Sequence, residues 1–258
     1  MSPEMATPQD LETVHGLRAG LALIDARPQD ILRIAFSRAS AREVEPVTRV
    51  LRNKGVPCGL LPDDELDRLA KVQQHEGLYI ETRPRTWHTP EALAEYLVKV
   101  QGVAIALDRV KNPYNVGAIL RSAAFFGVEG MFLGVPALHA GLDAQAVRVA
   151  EGGAEHVMLA RTPRLADSLA ELRKKGVLVV GADGQARTDA MEFRFSRPAV
   201  LVMGHEREGL HDRVRAQCDA VVAIRGSGKV DSLNVAVAAG VLIGKLASAP
   251  AKATQRRP

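Results

Sequence analysis

A chain of 258 residues, 47% apolar and 25% charged, can bury a substantial core as one large domain or two modest ones. Its apolar runs are far too short to cross a membrane, and the opening MSPEMATPQDLETVHG lacks the basic start and apolar centre of a secretory signal, which makes the cytoplasm the default location. A net charge of +4, with Lys and Arg spread along the chain and a short basic tail KATQRRP, permits a polyanionic partner without specifying one.

From Val14 to about Glu81 helix-like and strand-like pieces alternate: VHGLRAGLALI, ILRIAFS, AREVEPVTRVLRNKG, VPCGLL, DDELDRLAKV and GLYIE. This pattern predicts a small α/β domain over residues 1–85. The stretch that follows, with Pro84 and Pro90 and no strand pattern, reads over 86–101 as a linker running into a helix. Beyond it, alternation resumes over 102–247, ahead of the tail at 248–258. Strands are expected at VAIALD, GMFLG, HVMLA, VLVVGA, AVLVMG and AVVAI, and helices at Asn115–Phe126, Ala144–Glu151, Leu165–Lys175 and Ser232–Leu246. The strands are continuous Val/Ile/Leu runs rather than alternations, so both of their faces are buried and the sheet is parallel with helices around it. Such a sheet binds ligands beyond the carboxyl ends of its strands.

Three segments lie at those ends. LDRVKNPYNVGAILRSAAFFGV turns at Asn112-Pro113 and enters a helix on which Gly117 lies one turn before Arg121. A glycine inside a helix costs about 1 kcal/mol against alanine, which suits close approach of another group beside the guanidinium. Read alone, Arg121 is a solvated side chain. In AVLVMGHEREGL a buried strand runs through Met203 into Gly204, His205 and Glu206, where glycine admits a ligand to the backbone and Glu206 stands at the rim; alone, this is an ordinary turn, and His205 and His211 are surface or satisfied side chains. In GSGKVDSLNVAVAAGVLIGKL the opening looks like a phosphate loop, but Ala223 stands where a P-loop needs its first glycine and Val230 where it needs a hydroxyl. Ser232 or Asp231 is a natural cap for a helix whose first turn carries Leu233 and Asn234. No dinucleotide fingerprint occurs elsewhere in the chain. Cys58 and Cys218 stand alone and read as buried thiols, and the seven histidines show no ligand spacing, so no metal is expected.

In this order, NPYNVGAILRSAAFFGV, LVMGHEREGL and IRGSGKVDSLNVAVAAG resemble the three motifs of the SpoU/TrmH family of RNA ribose 2′-O-methyltransferases, of the SPOUT superfamily, and VRVAEGGAEHVML between them is similar to a helix and strand of that family. The resemblance runs from about Gly102 to Leu246; more weakly, Val14 to Glu81 resembles the family's RNA substrate-binding domain. It implies an α/β fold whose mostly parallel sheet carries a trefoil knot, against the general rarity of knots. It also implies S-adenosyl-L-methionine as cofactor, a homodimer through the knotted domain, and rRNA or tRNA as substrate. Carried over by position, Arg121, Asn115, Glu206, Ser232 and Asn234 line the methyl-transfer site. Met203, Gly204, Ile224 and Leu233, with Ser232 and Asn234, hold the cofactor. His205 stands where the family usually has Asn, and Arg225 where Pro is common.

The donor is already activated, so such an enzyme mainly aligns a ribose hydroxyl behind a methyl group and manages one proton, without a metal. A guanidinium is a poor base, which suits Arg121 to gripping a phosphate and polarising the hydroxyl, with a role as the base left open. Two other readings stay open: a catalytically inactive protein of this fold that binds RNA in ribosome assembly, and a base-modifying methyltransferase.

Overall fold

The computed structural model describes residues 11–72, 74–134 and 142–249; the first ten residues and the tail KATQRRP lie outside them. Two compact units are formed, one drawn from Met1–Thr86 and Leu142–Glu155, the other from Trp87–Gly141 and His156–Pro258. Leu142–Glu155, read in the sequence as part of the 102–247 domain, thus groups with the amino-terminal residues.

The first unit begins β1 (Glu12–His15), α1 (Leu17–Ala26), β2 (Ile31–Phe36), α2 (Ala41–Asn53), β3 (Cys58–Leu60), α3 (Asp63–Ala70) and β4 (Leu78–Thr82). Its sheet has the order β1-β4-β2-β3, with β4 antiparallel to both neighbours and β2 parallel to β3. Val14, Leu23, Ile34, Phe36, Leu66, Leu78 and Ile80 are buried between sheet and helices. Here the structure corrects the helical reading of VHGLRAGLALI: Val14 and His15 are strand. Gly16, at φ 97°, turns the chain between strand and helix in a conformation that residues with a Cβ rarely take.

The chain continues with α4 (Pro90–Val100), β5 (Val103–Leu107), α5 (Pro113–Phe125), β6 (Gly130–Gly134), α6 (Ala144–Val149), α7 (Gly153–His156), β7 (Met158–Thr162), α8 (Leu165–Lys174), β8 (Leu178–Ala182), β9 (Thr188–Asp189), β10 (Ala199–Met203), α9 (Asp212–Arg215), β11 (Ala220–Ala223) and α10 (Val235–Ala247). The second sheet runs β7-β6-β5-β10-β8-β11-β9 with every pair parallel. Every residue of β5 and β10 is buried, as their unbroken apolar runs require. Residues 86–101 carry α4, which buries Leu93 and Leu97 in this unit's core. The two-residue β9 has no apolar run and escaped the sequence pattern.

Two details differ from expectation. The last helix starts at Val235, with Asn234 rather than Ser232 or Asp231 as its cap, because the Asn234 side chain accepts the N–H groups of Ala236 and Val237. Cys58 and Cys218 are half-buried rather than buried, although burial still pushes the Cys218 thiol up to about 11, with Asp219 adding to the rise.

Within the first unit, α6 packs on β1, and the segment carrying it is fastened by charge. Buried Arg85 donates from Nε to Glu12 at 3.0 Å, from Nη1 to the Ala154 carbonyl at 2.9 Å and from Nη2 to Glu155 at 3.2 Å. Arg27 reaches the same two carboxylates, at 2.8 Å from Glu155 and 3.3 Å from Glu12, and Arg148 pairs with Glu76 at 3.1 Å.

Candidate active site

Strand register sets the site. Leu107 of β5 is level with Met203 of β10, Met203 with Ala182 of β8, and Ala182 with Val222 of β11. The residues that follow, Asp108, Gly204 and Asp183, therefore emerge in one row at the carboxyl edge, with Ile224 two residues beyond Val222. This is the edge at which a parallel sheet offers its crevice.

Into this row the structure brings three of the expected site residues and joins them by hydrogen bonds. Asn234 Oδ1 accepts from Ala236 N at 2.8 Å and Val237 N at 3.3 Å, which fixes the amide's orientation and turns its Nδ2 toward Asn115. That Nδ2 donates to Asn115 Oδ1 at 3.1 Å, so the Asn115 Nδ2 faces the other way, where it donates to a carboxylate oxygen of Glu206. Asn115 is buried, whereas Glu206 and Asn234 are exposed. The helix cap thus sets the direction of the whole chain of bonds, which ends on an accessible carboxylate with acceptor capacity to spare.

Glu206 lies in a turn closed on itself: His205 N–H donates to the Gly209 carbonyl and Gly209 N–H to the His205 carbonyl, both at 2.9 Å. His205 Nδ1 accepts the N–H groups of Arg207 and Glu208 at 3.3 Å, and His211 Nδ1 accepts Arg213 N at 3.2 Å at the start of α9. Both histidines are thus turn and helix caps. Gly204 is needed by the turn itself: a Cβ there would stand 2.5 Å from the Gly209 carbonyl carbon, 2.6 Å from its oxygen and 2.7 Å from Leu210 N.

The remaining expected residues surround this trio. Met203 is buried at the end of β10, Ile224 is half-buried, and Ser232 and Leu233 are exposed immediately before Asn234. Arg121 is exposed on α5, four residues after buried Gly117. Beyond their own chain neighbours, neither Gly226 nor Gly228 has an atom within 4 Å of the place a Cβ would take, so both glycines face open space there. Arg225 anchors the start of that loop by donating from Nη2 to the carbonyls of Ala186 at 2.9 Å and Arg187 at 2.6 Å. Sequence reasoning passed over Asp108, whose carboxylate accepts His211 N–H at 2.7 Å. Its position as the last residue of VAIALD, directly after β5, was the available signal; its partner, 103 residues away, was not legible.

The comparisons agree with this geometry. The model of the SpoU rRNA Methylase family matches residues 102–244. An uncharacterized tRNA/rRNA methyltransferase of Mycobacterium ulcerans is 34% identical over 248 residues, covering 95% of this chain and 79% of the relative. The 23S rRNA (guanosine-2′-O-)-methyltransferase RlmB of Photorhabdus laumondii is 32% identical over 234 residues, covering 90% of this chain and 96% of the relative. Among solved structures, an AdoMet-bound rRNA methyltransferase of Sinorhizobium meliloti has the same fold, with a TM-score of 0.76 at 21% identity over 92% of this chain and 87% of that one. With a family model matching more than half of its length and full-length relatives above 30% identity, the chain belongs to the SpoU rRNA methylase family.

Proposed function

We propose that this enzyme transfers a methyl group from S-adenosyl-L-methionine to a ribose 2′-hydroxyl of structured RNA, rRNA or tRNA. The observation that carries the reading is the hydrogen-bonded trio Glu206–Asn115–Asn234, assembled from three chain segments at the carboxyl edge of a parallel sheet. The residues around it fit such a cofactor. Leu233, an apolar side chain 47% exposed beside Asn234, suits an apolar ring, and the clear loop around Gly226 and Gly228 suits recognition through backbone groups. When bound, that cofactor supplies an activated methyl group on a sulfonium.

The protein's own part is alignment and one proton. Asn115 uses both ends of its amide within the trio and so orients Glu206 rather than touching substrate. Glu206 keeps acceptor capacity for the hydrogen bond of a ribose hydroxyl. Arg121 grips a phosphate and polarises the hydroxyl as charge develops, and Ser232 faces the same space from the loop.

RNA affinity is supplied in large part by the first unit, where Arg42, Arg49, Arg52 and Lys54 are exposed on and just after α2. A homodimer is part of the same proposal. Packed against each other, α5 and α10 expose Tyr114 (51%), Phe125 (83%), Val237 (54%) and Val241 (42%), an apolar surface that a second copy would cover. The knotted threading is supported by the return of α10, after β11, to pack on α5 and β10. Among the described residues no helix is long and apolar enough to cross a membrane; a cytoplasmic location goes with the RNA substrate.

The decisive experiment is mass spectrometry of nucleosides from rRNA and tRNA of cells lacking and regaining the gene. A 2′-O-methylated nucleoside that disappears and returns is expected. A methylated base in its place would establish base modification, and no change in either RNA would favour the RNA-binding alternative.

A further inference from the structure

The second residue after β5 carries a side chain that the trio does not include. Arg109 has φ 62°, a left-handed conformation that suits glycine better than arginine, so what this position gains from Arg lies in the side chain. Its guanidinium is half-buried and spans the far end of the Glu206 turn. Nη1 pairs with the Glu208 carboxylate, and Nη2 donates to the Gly209 carbonyl at 3.1 Å. Nε, buried without a hydrogen bond, faces Asp108 Oδ1 at 3.5 Å. The Gly209 carbonyl is the same one that accepts His205 N–H and closes the turn.

We propose that Arg109 is a positioning residue for methyl transfer: it locks the His205–Gly209 turn and thereby sets the Glu206 carboxylate on Asn115. Glu206, Arg207 and Glu208 are all exposed, so little packing holds the crest of the turn, and its geometry depends on its ends. One end follows from buried β10; Arg109 fixes the other. The same fork neutralises Glu208. Without it, a second carboxylate two residues from Glu206 would be left without its guanidinium partner in the same turn. A planar fork can hold a carboxylate and a carbonyl at once, which a single ammonium cannot. The inference rests on the methyl-transfer reading, because positioning has meaning only for a reaction at Glu206.

The test uses the full-length protein, S-adenosylmethionine with a tritiated methyl group, and rRNA and tRNA purified from a strain lacking the gene. Single-turnover transfer is measured with both saturating for Arg109→Gly, which the backbone accommodates, Arg109→Lys, Glu208→Gln and the double variant Arg109→Gly/Glu208→Gln. Loss of the clamp is expected to slow transfer in Arg109→Gly about tenfold or more, since small misplacements of a reacting group are that costly. Melting temperature and cofactor affinity should stay at wild-type values, Arg109→Lys should recover part of the rate, and the double variant should be no slower than Arg109→Gly. Amide exchange at His205 and Gly209 should quicken in Arg109→Gly. Wild-type transfer by Arg109→Gly, a rate loss that merely tracks lost folded protein, or strictly additive losses would overturn the proposal. If the wild-type protein itself transfers nothing to either RNA, the functional reading falls, and the exchange rates still decide whether Arg109 holds the turn.

Discussion

Arg121 stands exposed on α5 while Asn115, on the same helix, is buried, and the proposed reaction gives the two different work. A buried amide bonded at both ends orients its neighbours, and in the proposed function the exposed guanidinium grips a phosphate of the RNA. Arg121→Ala is therefore expected to leave folding and cofactor affinity nearly intact while single-turnover methyl transfer falls at least about a hundredfold, the scale of losing one charge-stabilising group. Arg121→Lys should restore little, because an ammonium does not reproduce a fork that holds two oxygens. Transfer near the wild-type rate in the alanine variant would return Arg121 to the solvated surface. At this scale the sequence named the residues but not their orientation. Asn115, Glu206 and Asn234 could be picked out by motif, yet which amide end faces which partner follows from a helix cap. Gly204 carries the same lesson: a glycine read as making room for a ligand proves to be required by the backbone of its own turn.

Helix α10 couples stability to the site at a single residue. Asn234 caps the helix through its oxygen and holds Asn115 through its nitrogen. The two roles separate by substitution. Asn234→Asp keeps an oxygen for the cap but replaces the donor to Asn115 with a second carboxylate competing with Glu206. Its unfolding free energy should change little while transfer is largely lost. Asn234→Ala removes both roles and should also lose about 1 kcal/mol of stability, as measured by urea denaturation. Near-wild-type transfer by Asn234→Asp, with loss only in Asn234→Ala, would show that the cap, not the link to Asn115, is what matters. The sequence pattern started this helix at Ser232 because Ser and Asp are good caps and Leu233 suits a first turn. The residue that won is the one whose side chain also had a tertiary partner, and that partner lies 119 residues away.

At the scale of the molecule, the segment Leu142–Glu155 belongs with the amino-terminal residues, held by the guanidiniums of buried Arg85 and half-buried Arg27 on the half-buried Glu155. Breaking one partner of such a group is costly because charges are left buried and unpaired. Arg85→Met is expected to lower unfolding free energy by about 3–5 kcal/mol, with the fastest rise in amide exchange at 144–156. Unchanged stability would mean that Arg27 alone suffices for Glu12 and Glu155. A fragment of residues 100–258 would lack Glu12, Arg27, Glu76 and Arg85, and with them the ion-pair partners of Arg148 and Glu155. Local pattern was enough to read the parallel sheet, because strands buried on both faces must be apolar throughout, as β5 and β10 are. It was enough to find the three motifs, because each is a continuous run of chain. What only the tertiary structure decided is which distant polar side chains meet: Arg109 with Glu208, Arg85 with Glu12 and Glu155, Asn115 with Glu206. Burial of an apolar run is a property of its own residues, whereas a charged or amide side chain reads the same in sequence whether water or a partner a hundred residues away completes its bonds.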